Sequence, residues 1–416
     1  ENMTLMTSQD PQFSKVRENW VTTWSQAQKG IGFFPVNDND HTVAYEIPIQ
    51  NTGDRVALTL GNYYSEVSLA LASVSVSLDK DSGFKPVTVN GSESFSVDAC
   101  GLVKTDSIAM LVTSGTAIYV RIYYPDQPQV NRAISGNTFA THAERSIKGD
   151  FTKTTPLICD DVFSDTMIDD PYAVKYGGSL IESKTRFTLT LQGVDVHTKT
   201  AGGTIVAFGD SITEQGHWVR PTQEKVAEKL GAGYSLVNAG ISGNRLLRGF
   251  TNLPRRTQFF GLAGIERFAH DVFEVNEQVI SVVIALGVND LHQPGTEAQF
   301  PIDELPTFDE LVAGYQHLIK VAREHGSRVF LATLSPFIGY TVAVKNEEKE
   351  AIRKQINDWI RHNREVAGIY DFDALLSDPT DCTTANPLYD SGDKLHPSPE
   401  GGLAMSHLID VTAFKA

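Results

Sequence analysis

The stretch TIVAFGDSITEQGHW, Thr204 to Trp218, sets a serine, Ser211, directly after an apolar run and a Gly-Asp step. A hydroxyl at such a junction can cap the following helix, or it can attack a carbonyl if a base lies within hydrogen-bond reach. Further along, Asn289-Asp290 follow a second apolar run, and Asp393-Lys394-Leu395-His396-Pro397 lies near the end of the chain. An imidazole can serve as that base, and a carboxylate three residues before it can hold its other ring nitrogen in the required tautomer. Each fragment alone also has an ordinary reading, as a helix cap, a loop start or a common dipeptide. Their joint order is what points to acyl transfer.

The elements that must position these residues are read from apolar periodicity. After about Gly202, strand-like runs at Thr204, Tyr234, Val279 and Arg328, with a weaker one at Gly368, alternate with amphipathic segments such as FDELVAGYQHLIKVAREHG from Phe308. Near-continuous apolar strands between helices imply a parallel sheet covered on both faces, an α/β three-layer arrangement. Ligands in such sheets bind outside the carboxyl ends of the strands, where Ser211, NAGISGN (Asn238–Asn244) and LGVND (Leu286–Asp290) would fall. The first two hundred residues instead alternate polar and apolar positions, as in AIYVRIYY from Ala117 and RFTLTLQGVDV from Arg186. They read as a β-sandwich or jelly-roll-like module. We expect a β-rich accessory domain over 1–200 and a catalytic domain over 201–416. Asn90-Gly91, within VTVNGSESFSV, is a hairpin signal, and NGS there also matches a glycosylation acceptor.

Composition narrows the partners. Lys plus Arg is 35 against 51 for Asp plus Glu, a formal net charge of −16, which argues against nucleic acid or an anionic membrane as the main partner. The three cysteines are widely spaced, so neither a disulfide framework nor a thiolate zinc site is implied. His270-Asp271 and NDNDH from Asn37 contain metal-ligand residue types without the spacing of a site, and neither metal nor cofactor is expected. No run of about 18 apolar residues is present, so no membrane insertion is expected. The first residues, ENMTLMTSQD, lack the pattern of a secretory signal. A cytoplasmic location is expected, or a secreted one if a signal peptide was removed. A homo-oligomer is compatible with all of this.

The four blocks together resemble the SGNH (GDSL-type) hydrolase family: Gly209-Asp210-Ser211, Gly243 within NAGISGN, Gly287-Val288-Asn289-Asp290, and Asp393-Lys394-Leu395-His396-Pro397. Within the family the chain is similar to bacterial carbohydrate esterases with an added N-terminal β-domain, on the strength of WVTTWSQA at Trp20 and YDSGDKLHPSPEG at Tyr389. The resemblance implies a flavodoxin-like catalytic fold and a serine esterase using Ser211, His396 and Asp393. Its oxyanion hole would comprise the backbone N–H groups of Ser211 and Gly243 and the amide of Asn289, with Gly240 a competing position. Asp210 and Asp290 are expected to shape turns. Asn244, Arg245 and His292 are candidates to reach substrate, a small-molecule or oligosaccharide ester. Aromatic residues of the first half, including Trp20, Trp24, Phe33, Phe34, Tyr63 and Tyr64, could stack on sugar or simply pack a core. Alternatives on the same machinery are a short-chain lipid or aryl esterase, a lysophospholipase or a thioesterase. A non-enzymatic alternative is a glycan-binding protein.

Overall fold

In a computed structural model, which describes residues 19–31, 39–125, 142–153, 156–159 and 190–415, the run after Gly202 becomes the centre of a parallel sheet. Its strands are β1 (Gly203–Gly209), β2 (Tyr234–Gly240), β3 (Val279–Ala285), β4 (Arg328–Ala332) and β5 (Gly368–Tyr370), in the spatial order 2-1-3-4-5. Every residue of β1 is buried, which is why its sequence shows no polar alternation. The short helix α1 (Ser211–Glu214) follows β1 and leads to α2 (Val219–Leu230). Then come α3 (Gly264–Phe268), α4 (Val288–His292), α5 (Phe308–Glu324), α6 (Asn346–Arg361) and α7 (Pro399–His407). The amphipathic segment from Phe308 becomes α5, with Leu311, Tyr315, Leu318 and Ala322 turned inward. Thr307 and Glu310 close its first turn with a reciprocal capping box.

The order 2-1-3-4-5 reverses between β1 and β3, and such a switch point opens a crevice at the carboxyl ends of the strands. Gly209 pairs with Gly240 on one side and Ala285 on the other, so these three strands end level. The residues that follow them share one edge.

The earlier residues form a β-sandwich. One sheet joins Trp20–Ser25, Leu191–His197, Gly53–Gly61, Leu102–Lys104 and Ile108–Val112. The other joins His142–Lys148, His41–Pro48, Ala117–Tyr124, Ser73–Ser77 and Lys85–Pro86. All of these pairings are antiparallel. Val43, Tyr45, Val76, Ile118 and Val120 from one sheet meet Val56, Leu58, Leu60, Val194 and Val196 from the other in one core. Asn90 and Gly91 both take positive φ, 50° and 80°, and close the expected tight turn between Val89 and Ser92. Trp20, Trp24 and Tyr64 are buried, as core packing requires, while Phe33, Phe34 and Asn37 lie outside the described residues. Among the described residues no helix is long and apolar enough to cross a membrane.

The strand Trp20–Ser25 stitches the sandwich to the parallel sheet. Thr22 is wholly buried; its N–H donates to Thr204 Oγ1 at 2.9 Å and its carbonyl accepts from Ser235 Oγ at 2.7 Å. Its hydroxyl donates to Asp195 Oδ1 at 2.7 Å and accepts the Glu277 N–H at 2.8 Å. Gln50 supplies an amide to the open edge of β2, donating to the Leu236 carbonyl and accepting its N–H. Replacing Thr22 by valine keeps the volume and removes both hydroxyl bonds. We expect Thr22→Val to lower unfolding free energy by about 2–3 kcal/mol in urea titration, with Thr22→Ser retaining most of it. A Thr22→Val chain as stable as wild type would show that this seam is not held as described.

Candidate active site

Ser211 is the first residue of α1, two residues beyond the end of β1. The Asp210 carboxylate accepts the Ile212 N–H at 3.0 Å and caps this turn, in keeping with a turn-shaping part for that residue. A Cβ on Gly209 would lie 2.3 Å from Thr213 Oγ1 and 2.6 Å from the Ala285 carbonyl, so only glycine lets the strand pass this close before Ser211. The N–H of Ser211, at the helix start, has no acceptor within the helix.

The loop before α7 brings the other residues to the hydroxyl. Ser211 Oγ lies 2.8 Å from His396 Nε2, across 185 positions of sequence, and His396 Nδ1 lies 2.5 Å from Asp393 Oδ2. The loop is braced from within. Asp393 Oδ1 accepts the N–H groups of Leu395 and His396 at 3.0 and 2.8 Å, Asp390 pairs with Pro397, and Ser391 N–H donates to the His396 carbonyl. Ser398 then caps α7 by accepting the Gly401 N–H. Burial alone would raise the Asp393 carboxyl, but the His396 ring and these two backbone donors outweigh it and hold it at about 2. Asp393 is therefore ionised across the neutral range, which places the ring proton on Nδ1 and leaves Nε2 as acceptor toward the hydroxyl.

At the neighbouring strand ends, Gly243 has φ +79°, and a Cβ there would fall 2.4 Å from the Phe260 ring. Asn289, in α4, donates from Nδ2 to the Asn244 carbonyl at 2.9 Å, and its Oδ1 lies 2.7 Å from His292 Nε2. One turn later Gln293 donates to the Gly243 carbonyl at 2.9 Å. Asp290 accepts the N–H groups of Leu246 and Leu247, so α4 and Gln293 just after it fasten the Gly243 loop at four points. Gly240, the competing glycine, faces backbone instead: a Cβ there would meet Glu214 N at 2.5 Å.

Substrate contacts are expected of Asn244, Arg245 and His292, and the structure places all three inside. Asn244 is fully buried; its amide donates to the carbonyls of Phe260 and Leu262 and its Oδ1 accepts from Arg267. Arg245 is buried over the Phe300 ring, donates to the Gly249 carbonyl at 2.6 Å and sits 3.7 Å from Glu304. His292 is buried beside Phe337 and Tyr340. In each case the turn after Gly243, or the packing of α4, directs the side chain into the loop framework. His270 and Asp271, of metal-ligand type, pair with each other at 2.8 Å, and Asp271 also receives Arg267. Among the described residues no group of three or more His, Cys, Asp or Glu side chains gathers around a point.

Two residues at the site belong to no sequence motif. Arg267 is wholly buried and donates to the carbonyls of Gly209 and Ala239, each at the end of a strand. Tyr340 packs edge-on against the His396 ring, with centroids 5.5 Å apart. An arginine inside the apolar pattern GIERFAHDVF is the one hint the sequence offers for the first.

Burial pushes the Asp210 carboxyl up to about 7, with the nearby Asp290 charge adding to the rise and the Ile212 N–H and His396 opposing it. A carboxyl with a folded pKa above its unfolded value, about 3.9, favours folding in its neutral form. That contribution is complete below pH 3.9 and is lost as pH rises through 7. Melting curves across pH 4–8 should therefore show Asp210→Asn gaining on wild type by about 4 kcal/mol as pH rises. A difference independent of pH would mean Asp210 is ionised throughout.

Residues 207–402 match the model of the GDSL-like lipase/acylhydrolase family. No curated protein matches the sequence. Among solved structures, a GDSL-like lipase from Bacteroides thetaiotaomicron is 23% identical, covering 51% of this chain and 88% of its own, with a TM-score of 0.36. A catalytic mutant of an acetylxylan esterase from Geobacillus stearothermophilus is 19% identical over 52% of this chain and 97% of its own, with a TM-score of 0.37. A psychrotrophic esterase from Pseudoalteromonas sp. is 16% identical over 50% of this chain and 93% of its own, with a TM-score of 0.34. Residues 207–402 are thus a GDSL-like lipase/acylhydrolase domain, with three of the four sequence blocks at the level ends of its central strands and the fourth in the loop before α7.

Proposed function

We propose that the protein is a serine esterase that removes small acyl groups, acetyl foremost, from carbohydrates through an acyl-enzyme. The observation that carries this reading is the relay from Ser211 Oγ through His396, at 2.8 Å, to Asp393, at 2.5 Å. Ser211 Oγ attacks the ester carbonyl while His396 Nε2 takes its proton, and the ionised Asp393 stabilises the imidazolium that forms. The N–H groups of Ser211 and Gly243 and the Nδ2 of Asn289 receive the oxyanion. His396 then protonates the leaving alkoxide, and the same ring activates water to release the acid and restore the serine.

Several features support a small acyl group on a neutral carrier. Phe260 packs against Gly243 and Tyr340 against His396, so bulk flanks the reacting atoms on two sides. A formal charge of −16 disfavours strongly anionic substrates. The motifs at Trp20 and Tyr389 that resemble carbohydrate esterases add the sugar. Asn244 and Arg245 serve the loop framework in this reading.

Wild type should turn over p-nitrophenyl acetate, and Ser211→Ala should lose at least about a thousandfold in kcat. Across an acetate-to-laurate series, kcat/KM should fall steeply beyond butyrate, and acetylated xylo-oligosaccharides should release acetate. A preference for long chains would replace the carbohydrate reading with a lipid esterase. Turnover untouched in Ser211→Ala would remove the mechanism.

A further inference from the structure

Asn289 can act as an oxyanion donor only if its amide is held the right way round, since a flip would present a carbonyl to a developing negative charge. The Asn244 carbonyl, 2.9 Å from Nδ2, can only accept, so Nδ2 must face it and Oδ1 must face the other way, toward His292. His292 Nε2, 2.7 Å from that Oδ1, must then carry the ring proton, which leaves Nδ1 bare. Among the described residues no donor meets Nδ1, although the atom is buried. A buried acceptor without a donor costs about 1–3 kcal/mol. A leucine would fill the same space without that cost, so the ring's advantage at this position lies in its Nε2–H.

The surroundings keep the ring neutral and still. Burial, with the nearby ammonium of Lys349 and the ring of His396 adding to it, lowers its basicity to about 3. Lys349 donates to the carbonyls of His292 and Pro294 at 3.0 and 2.8 Å, which pins the end of α4. Tyr340 stands edge-on to His292, with centroids 5.3 Å apart, and also edge-on to His396. Asn289 and His292 lie three residues apart on one short helix, the spacing that lets two side chains meet.

We propose that His292 is a positioning residue: its Nε2–H locks the Asn289 amide against flipping, so that the second Nδ2 hydrogen is preorganised for the oxyanion. The proposal rests on the reading of Asn289 as an oxyanion donor. It predicts that His292→Leu lowers kcat for p-nitrophenyl acetate about 10- to 100-fold with KM within about twofold, and that His292→Gln, which keeps a donor, restores most of it. Asn289→Ala should cost about 100- to 1000-fold, and the double variant His292→Leu/Asn289→Ala should be no slower than Asn289→Ala alone. Histidine 15N–1H correlation spectra of the wild-type protein, which need no variant to fold, should show one ring that stays neutral and protonated at Nε2 down to pH 5 and is absent in His292→Gln. Full activity in His292→Leu, a loss that multiplies in the double variant, or a ring protonated at Nδ1 would overturn the proposal. Unchanged kcat in Asn289→Ala would instead overturn the oxyanion reading beneath it.

Discussion

The site depends on one buried guanidinium. Arg267 donates to the carbonyls of Gly209 and Ala239 at 2.9 and 3.0 Å, to Asn244 Oδ1 at 3.0 Å and to Asp271 Oδ2 at 2.9 Å, with the Phe208 ring 4.1 Å beneath it. Carbonyls at level strand ends have a second lone pair that the sheet does not use; the Gly209 carbonyl accepts both the Ile241 N–H and Arg267. A planar fork of five donors, with no acceptor of its own, suits two strand-end carbonyls and the Asn244 amide oxygen at once, and a lysine could not span them. The buried charge is tolerable because Asp271 neutralises it. Gly209 is two residues before Ser211 and Asn244 directly follows Gly243, so one side chain fixes both loops.

That clamp also reaches the sandwich. Asp271 receives His270, whose ring lies stacked on Tyr63 with centroids 3.5 Å apart, and the adjacent Tyr64 hydroxyl accepts the Leu262 N–H. Leu262 in turn gives its carbonyl to Asn244. The β-sandwich is thereby in contact with the back of the candidate site through two neighbouring tyrosines. Loops framed by buried polar bonds on every side have few alternative arrangements, which is the condition for donors that need no rearrangement during reaction.

Much of this was legible because burial leaves a mark on sequence. β1 to β4 are largely buried and read as near-continuous apolar runs, and Ser211 and Asn289 stand out as polar residues that follow such runs at the strand ends. His396 and Asp393 are legible because a three-residue spacing suffices for the two to bond within one loop. The direction of a side chain is another matter. Asn244 and Arg245 adjoin Gly243, yet the positive φ there turns the chain so that both point inward. Arg267 binds mainly backbone carbonyls, which carry no residue identity and so no motif. The strand Trp20–Ser25 pairs with Leu191–His197, far away in the chain, and no local pattern encodes so distant a pairing.

Three aspartates near Ser211 show how surroundings divide one chemical group into separate tasks. Asp393 is the most exposed and meets a ring nitrogen and two backbone donors, so it stays charged. Asp290 and Asp210 are buried, and loss of water raises them to about 6 and about 7 although backbone donors pull the other way. Only Asp393 touches the imidazole, so only it can answer the positive charge that His396 acquires. The same desolvation that unsettles the other two leaves them suited to holding N–H groups of Ile212, Leu246 and Leu247 in place. Charge is thus concentrated where a proton moves, and the buried carboxyls behind the hydroxyl act through geometry.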